Sequence, residues 1–437
     1  MKIVALCGLL GYGYSEEALK NAFSEKVDYI GVDAGSTDPG PYYLGSGKSF
    51  TDRSAVKRDL SLALPPALEQ GAPFIIGTAG GAGSAAHVAW LKEILLEVAE
   101  EAGLHFTLGT VYSDVTREYV TEKLEAGKIK NLSDRFPLTR QAVEESERIV
   151  SQVGVAPFIE LLSKGVDVIL AGRACDTAIY AAPCIMRGYD PGLAFHMAKI
   201  MECGAMCAEP VAAADVMQAY IYDDHFELCP ASTARRCTVD RVAAHTLYEQ
   251  TNPYLIYEPD GVCDLTKARF VQKDARTVSV SGAIFKDAAV KTLKLEGVKK
   301  AGYRTICPAT VYDPMTVEKF PRLIETVNAF VKENTKGTLP EDSYTVSYKT
   351  SGGAESSLGV VIDVVGKTQQ ITDTVCALVR SRMLHCDYEG RRSTAGNLAF
   401  PFSPSDIHVG ETYEFSVFHL AEVDSLLETA RITVEEV

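Results

Sequence analysis

"FIIGTAGGAGSAAHVAWL", residues 74–91, begins as an apolar run, breaks at Gly77, Gly80, Gly81 and Gly83, and ends in helix-like sequence. A strand that turns through glycines into a helix is one βα unit, and the pattern recurs on both sides of it. Ile3–Cys7, Tyr29–Val32, Phe106–Gly109 and Val166–Ala171 are further short apolar runs that read as strands beside Phe74–Gly77. Between them lie helix candidates. In Ser84–Glu101, Val88, Leu91, Leu95 and Val98 recur at helical spacing, with Ser84 as cap. Thr116–Ala126 stops at Gly127, a good helix terminator. Strands alternating with helices predict an α/β domain with a parallel sheet, either an open sheet or a partial barrel. In both, ligands bind at the carboxyl ends of the strands.

Near residue 213 the texture changes. "YIYDDHFELCP", "KARFVQ" and "TVSVSGAIF" alternate and are rich in β-formers, which reads as a mixed or antiparallel segment. Helical spacing returns at Met315–Lys332, and "ENTKGTLPEDS" is a polar loop. Beyond it come strands Thr345–Tyr348 and Val360–Val365, helix Gln369–Leu384 and a strand near Thr412–Val417, a small α+β unit. The expected division is an α/β ligand-binding domain at 1–212, a mixed domain at 213–340 and a small α+β domain at 341–437. "SGGAESSLG", Ser351–Gly359, links two of the strands as a hairpin loop or a flap.

The chain has 437 residues, 46% of them hydrophobic, and a net charge of -15. An acidic surface without basic, aromatic-interleaved runs makes nucleic acid a poor partner. No apolar segment reaches the roughly 20 residues needed to cross a bilayer. The apolar start resembles a signal-peptide core in length, but Gly8, Gly11 and Gly13 lead straight into "SEEALKNAF", so it reads as a first strand, turn and helix. With 11 cysteines and no export signal, a reducing cytoplasm, free thiols and no structural zinc are expected. Cytosolic enzymes are commonly symmetric homo-oligomers, and that is the expectation here.

The residues after each strand converge on one face if the sheet reading holds. Asp33 follows the second strand directly, the usual place for a catalytic or metal-binding carboxylate. Thr78, Gly80, Gly81, Gly83 and Ser84 follow the third, and their amides, with the helix dipole, suit a carboxylate or phosphate. A tight turn packing helix on strand is the alternative reading of the glycines. Thr110 follows the fourth strand. In "GRACDTAIYAAP", Gly172–Pro183, Arg173 suits a two-pronged carboxylate clamp, and Asp176 a base or a metal ligand. Asp176 is also near enough to be the partner of Arg173. Cys175 acts as a nucleophile only if its pKa is lowered, and otherwise is a small buried thiol. Asp38 reads as turn chemistry, and His196, Cys203 and Cys207 as a packing face. Asp223 and His225 of "YDDH" offer two metal ligands without a third. No GxSxG elbow or HExxH motif occurs.

"GTAGGAGS", "AGRACDTAIYAAP" and above all "HMAKIMECGAMCAEP", His196–Pro210, resemble the acyclic terpene utilisation family, the AtuA-like proteins. The resemblance covers about the first 350 residues. The last 90 or so, including "VRSRMLHCDYEGRRSTAGNLAFPFSPSD", resemble the small companion domain of that family. It implies catabolism of branched acyl and carboxylic compounds and brings no established catalytic set. Gly80, Gly81, Gly83, Arg173, Asp176, Glu202, Cys203 and Gly204 are motif positions only.

Together these readings lead to a lyase, hydratase or isomerase acting on a small carboxylic acid or its acyl thioester through an enolate. Arg173 and the amides of Gly80–Ser84 would hold the anion. Asp33 or Asp176 would move the proton or bind a divalent cation that stabilises the enolate. The alternative is a non-catalytic subunit that binds an acyl ligand or a partner.

Overall fold

The computed structural model describes residues 1–132, 137–211, 215–249, 252–340, 342–353 and 356–437. Its largest element is a ten-stranded sheet. The five central strands run parallel in the order Lys2–Ala5, Tyr29–Val32, Phe74–Ile76, Val168–Ala171 and Thr107–Tyr112. Sequence alternation explains why this sheet is covered on both sides. Ile3, Ala5, Ile75, Ile169 and Ala171 join one apolar core, while Val4, Phe74, Ile76, Val168 and Leu170 join the other. Helices Arg53–Gln70 and Ala85–Ala102 close the second core, and helices Ala156–Ser163, Ala178–Met186 and Pro191–Met201 close the first. The short apolar runs in the sequence are therefore doubly buried parallel strands. The sheet follows one path with two edges, Arg269–Gln272 and Arg431–Glu436, so it is open and not a partial barrel.

The boundary expected at 212/213 falls beside residues 212–214, which lie outside the described residues, as does 341 at the second boundary. The contacts divide the chain differently. Residues 1–299 with 415–437 form one compact unit, and residues 300–414 form another. The reason is pairing. Met217–Ile221 lies antiparallel against Lys2–Ala5, and His225–Pro230 against Met217–Ile221, so the β-rich middle segment extends the first sheet. At the far edge Arg431–Glu436 pairs with Thr107–Tyr112, which returns the end of the chain to the first unit.

In the second unit, residues 303–311, Leu358–Gly366 and Tyr344–Gly352 form antiparallel strands. Helix Pro314–Thr335 contributes Phe320, Leu323, Val327 and Val331 to its core, at the spacing of one helix face. Helix Gln369–His385 adds Val375, Val379 and Met383. The 351–359 connection joins paired strands, and residues 354–355 within it lie outside the described residues. Among the described residues no helix is long and apolar enough to cross a membrane. All 11 cysteines are free thiols.

Candidate functional site

The glycine run at residues 77–83 binds the protein itself. Gly83 has φ +69, and a Cβ there would stand 2.2 Å from the Arg173 backbone nitrogen, whose N–H donates to the Gly83 carbonyl at 3.0 Å. Only glycine combines that left-handed backbone with that approach. Gly81 has φ +99 and packs beneath Phe50 and against Gly35. The helix start that follows is also satisfied internally. The Ser84 hydroxyl lies 2.7 Å from His87 Nδ1, and the Ala85 N–H donates to Asp114 at 3.0 Å. Burial holds His87 down at about 4, so its ring is neutral and its Nε2 bonds the Lys48 carbonyl. Gly80, Gly81, Gly83 and Ser84 are all buried, and Gly81 packs against Phe50 and Gly35, which line a cavity.

That cavity, of about 270 Å³, opens where the strand ends converge. Gly8 and Tyr12 follow the first strand, Asp33, Gly35 and Asp38 the second, and Asp176 the Val168–Ala171 strand. Its other wall comes from helix ends: Glu202, Cys203 and Met206 after Pro191–Met201, and Tyr248 and Glu249 after Val239–Thr246. Asp33 and Asp176 therefore meet at one site. Thr78 and Thr110 do not join them. Thr78 is spent on the Ala174 backbone at 3.2 Å in both directions. Thr110 sits within its strand, opposite Leu170 and Thr433, and not after it.

Arg173 is 3% exposed, and its Nε donates to Glu296 at 2.7 Å. Glu296 is fully buried and also holds Lys294 at 2.6 Å and the Thr37 hydroxyl at 2.8 Å. Burial alone would raise this carboxyl; Arg173 and then Lys294 outweigh it and hold it at about 2. Asp176 is a weaker partner of Arg173, at 3.4 Å and with 29% of its side chain exposed. The guanidinium thus bonds an internal carboxylate 123 residues away, and its weaker partner Asp176 lines the cavity.

Three carboxyls on the cavity are displaced from ordinary behaviour. Asp33 is 7% exposed, and its Oδ1 has no hydrogen-bond partner. Burial pushes it well above the usual carboxylate range, and the charges of Asp176 and Glu202 add to the push. Burial also raises Asp176, against the pull of Arg173 and Lys199. Glu202 is raised to about 8 by burial, with Asp176 adding and its ion-pair partner Lys199 opposing. Lys199 is kept charged above its ordinary range by Glu202, against burial. Groups this close titrate as a set, and within it Glu202, at about 8, keeps a proton at neutral pH. Beside it, Cys175 and Thr177 donate to Glu258 at 3.0 and 2.8 Å. Burial, Glu258 and Asp176 push the Cys175 thiol far up, so it stays protonated and is no nucleophile in this state.

Glu202 and Lys199 escaped the sequence reading as chemistry. The available signal was a Lys and a Glu three residues apart inside "LAFHMAKIMECG", where every other position except His196 is apolar or small. Helix Pro191–Met201 is buried from Gly192 to Met201, so a charge on it needs a buried partner. His196 is a packing residue whose Nε2 lies 3.2 Å from the Thr246 hydroxyl. His225 faces Asp224 at 2.7 Å and Glu227 at 3.5 Å. Among the described residues no group of three His, Cys, Asp or Glu could hold a metal ion.

The family model described as acyclic terpene utilisation family protein AtuA matches residues 15–220 and 229–386. No curated protein and no solved structure matches the chain.

Proposed function

The chain belongs to the acyclic terpene utilisation family AtuA, and from that premise we propose that it is a lyase, hydratase or isomerase that acts on a small acyl compound through an enolate. The observation that carries the reading is the set of Asp33, Asp176 and Glu202 around one cavity, with burial raising all three. Carboxyls whose proton affinity is raised by burial at one site are the groups that acid–base chemistry needs.

The roles follow from their surroundings. Asp176 keeps a cation at 3.4 Å and is partly open, so it is the carboxylate that accepts the proton from the carbon beside the carbonyl. The C–H electron pair moves into the new carbon–carbon double bond, and the carbonyl pair moves onto oxygen. Asp33, protonated in its dry setting, donates a hydrogen bond to that oxygen. Glu202, poised at about 8, protonates the β-hydroxyl, which leaves as water while the enolate pair forms the α,β double bond and the carbonyl re-forms; with a β,γ-unsaturated substrate it protonates the γ-carbon of the dienolate instead. Arg173 is a positioning residue that holds Asp176 without touching the substrate. An acyl thioester suits this site better than a free carboxylate, because its carbonyl is neutral and the lining is acidic.

Solvent-hydrogen exchange tests the proposal. The full chain, incubated in D₂O with short acyl thioesters, should exchange the hydrogens beside the carbonyl, as read by NMR. Asp33→Asn and Glu202→Gln should each slow exchange by about 10²–10⁴-fold, the usual contribution of a positioned acid or base. Exchange at the uncatalysed rate with every thioester, or variants as fast as the parent, would refute it.

A further inference from the structure

We infer that Tyr12 sets which acyl chains the cavity accepts, and that Asp59 is the positioning residue that fixes it there. This deepens the proposed function and rests on it for the reaction; the placement of Tyr12 stands on the geometry.

In "GLLGYGYSEE", residues 8–17, the chain leaves the first strand through Gly11-Tyr12-Gly13 before helix Glu16–Ala22 begins. Both glycines take left-handed backbone, with φ +98 and +81, which a residue with a Cβ adopts only under strain. The turn so formed wraps one buried carboxylate. The N–H groups of Gly11 and Gly13 both donate to Asp59 Oδ2, at 2.9 and 3.1 Å. Asp59 is fully buried on helix Arg53–Gln70. Its neighbour Arg58 donates to Asp59 Oδ1 at 2.9 Å and to the Tyr14 carbonyl at 3.2 Å, and the Tyr14 hydroxyl donates to the Asp59 carbonyl. The Tyr12 N–H donates to the Leu9 carbonyl at 3.0 Å. The backbone is therefore tied at Tyr12 and on both sides of it.

The side chain it carries is not tied. Tyr12 is 50% exposed and lines the cavity, and among the described residues no hydrogen bond, ion pair or ring engages it. Tyr248, the other tyrosine of the lining, is already braced: its ring stacks on His245 with centroids 5.4 Å apart, and Lys199 lies over it at 5.6 Å. A rigid backbone holding an idle aromatic side chain at a cavity is preorganised for a ligand. Burial orders the site by depth. Asp33 and Glu202 are buried, and Tyr12 is half in solvent. With the carbonyl at the deep carboxyls, the far end of the acyl chain passes the Tyr12 ring, which offers it apolar surface. Because the ring is fixed, contact begins at one chain length; a ring on a loose loop would swing aside and treat all chains alike.

Acetyl, butyryl and hexanoyl thioesters of N-acetylcysteamine test this on the full chain, with KM and kcat read from exchange in D₂O and affinity from calorimetry. Parental affinity should rise with chain length. Tyr12→Ala should raise the hexanoyl KM about tenfold, as lost burial of roughly two methylenes gives, and the acetyl KM far less, with the loss in KM and not in kcat. Tyr12→Phe should restore the parental dependence, because the ring makes the contact. Asp59→Asn and Gly13→Ala should each raise the hexanoyl KM several-fold. A Cβ at Gly13 meets nothing nearer than Arg58 Nη1 at 3.5 Å, so that variant strains the loop without a clash. Equal shifts for acetyl and hexanoyl, a parental hexanoyl KM in Tyr12→Ala, a loss confined to kcat, or Tyr12→Phe as weak as Tyr12→Ala would each overturn the role of Tyr12. A parental hexanoyl KM in folded Asp59→Asn would overturn that of Asp59, and Gly13→Ala decides in its place if Asp59→Asn does not fold. Calorimetry separates this from the reaction. Affinity that follows chain length and drops in Tyr12→Ala, without exchange on any thioester, keeps the inference and removes the enzyme. Exchange in the parent with no chain-length preference removes only the inference, and no binding of any thioester overturns it.

Discussion

Arg173→Ala separates a structural ion pair from a ligand clamp. The guanidinium is 3% exposed and donates to Glu296, which is fully buried. Removing one partner of a buried pair costs about 3–5 kcal/mol, because the remaining charge is left in a poor medium. Glu296 would keep Lys294 at 2.6 Å and the Thr37 hydroxyl, so the loss should lie near the lower end, about 3 kcal/mol. For a unit of this size that lowers the melting midpoint by about 4–5 °C. The pH dependence has a definite sign. Glu296 is held at about 2, below its unfolded value. Its contribution is fully present above the unfolded carboxyl value of roughly 4.3 and is lost as pH falls below it. The difference between parent and variant should therefore be constant near neutrality and shrink as pH falls toward 2. Arg173→Met with Glu296→Leu, which removes both charges, should recover most of the loss. Urea denaturation at a series of pH values reads all of this. A single variant as stable as the parent that has lost ligand affinity would refute the argument and restore the clamp.

Gly83→Ala should destabilise the chain by more than about 1–2 kcal/mol, because the left-handed backbone cost alone is that large and the new Cβ also meets the Arg173 backbone; a soluble variant of parental stability would contradict the packing of the loop. Glu258, raised to about 7 by burial, binds its proton more tightly folded than unfolded. Its contribution is full below the unfolded value and is lost as pH rises through about 7, so Glu258→Gln should flatten the fall in stability across that range in thermal melts. Lys199→Met should move Glu202 further up from about 8, since Lys199 favours the ionised form, and the corresponding limb of the exchange-rate profile should shift to higher pH; an unmoved limb would detach Glu202 from the reaction.

The legible part of the fold was the part written in local pattern. Phe74–Ile76 and Val168–Ala171 read as strands because apolar residues face both helical layers, and Ala85–Ala102 read as a helix because Ser84 caps it and its apolar positions repeat. What local pattern does not carry is long-range pairing. Strand Arg148–Gln152 was missed; its partner is residues 294–298, and nothing in its own composition names that partner. The same distance hid Glu296 from the reading of Arg173, leaving only Asp176 and a ligand as partners. The return of Arg431–Glu436 to the first sheet moved the unit boundaries for the same reason. At the site, Asp33 and Asp176 were found because strand ends converge in a parallel sheet. Glu202 was not, because it lies at the end of a helix whose burial becomes evident only when the helix is packed.

The central claim is that the cavity carboxyls hold a proton at neutral pH. Infrared difference spectroscopy of the parent against Asp33→Asn at pH 7 addresses it directly. The account predicts that the substitution removes a protonated-carboxyl C=O band, because Asp33 is buried beside Asp176 and Glu202 with an unpartnered oxygen. Loss of an ionised carboxylate band instead, with no protonated carboxyl in the parent, would contradict it.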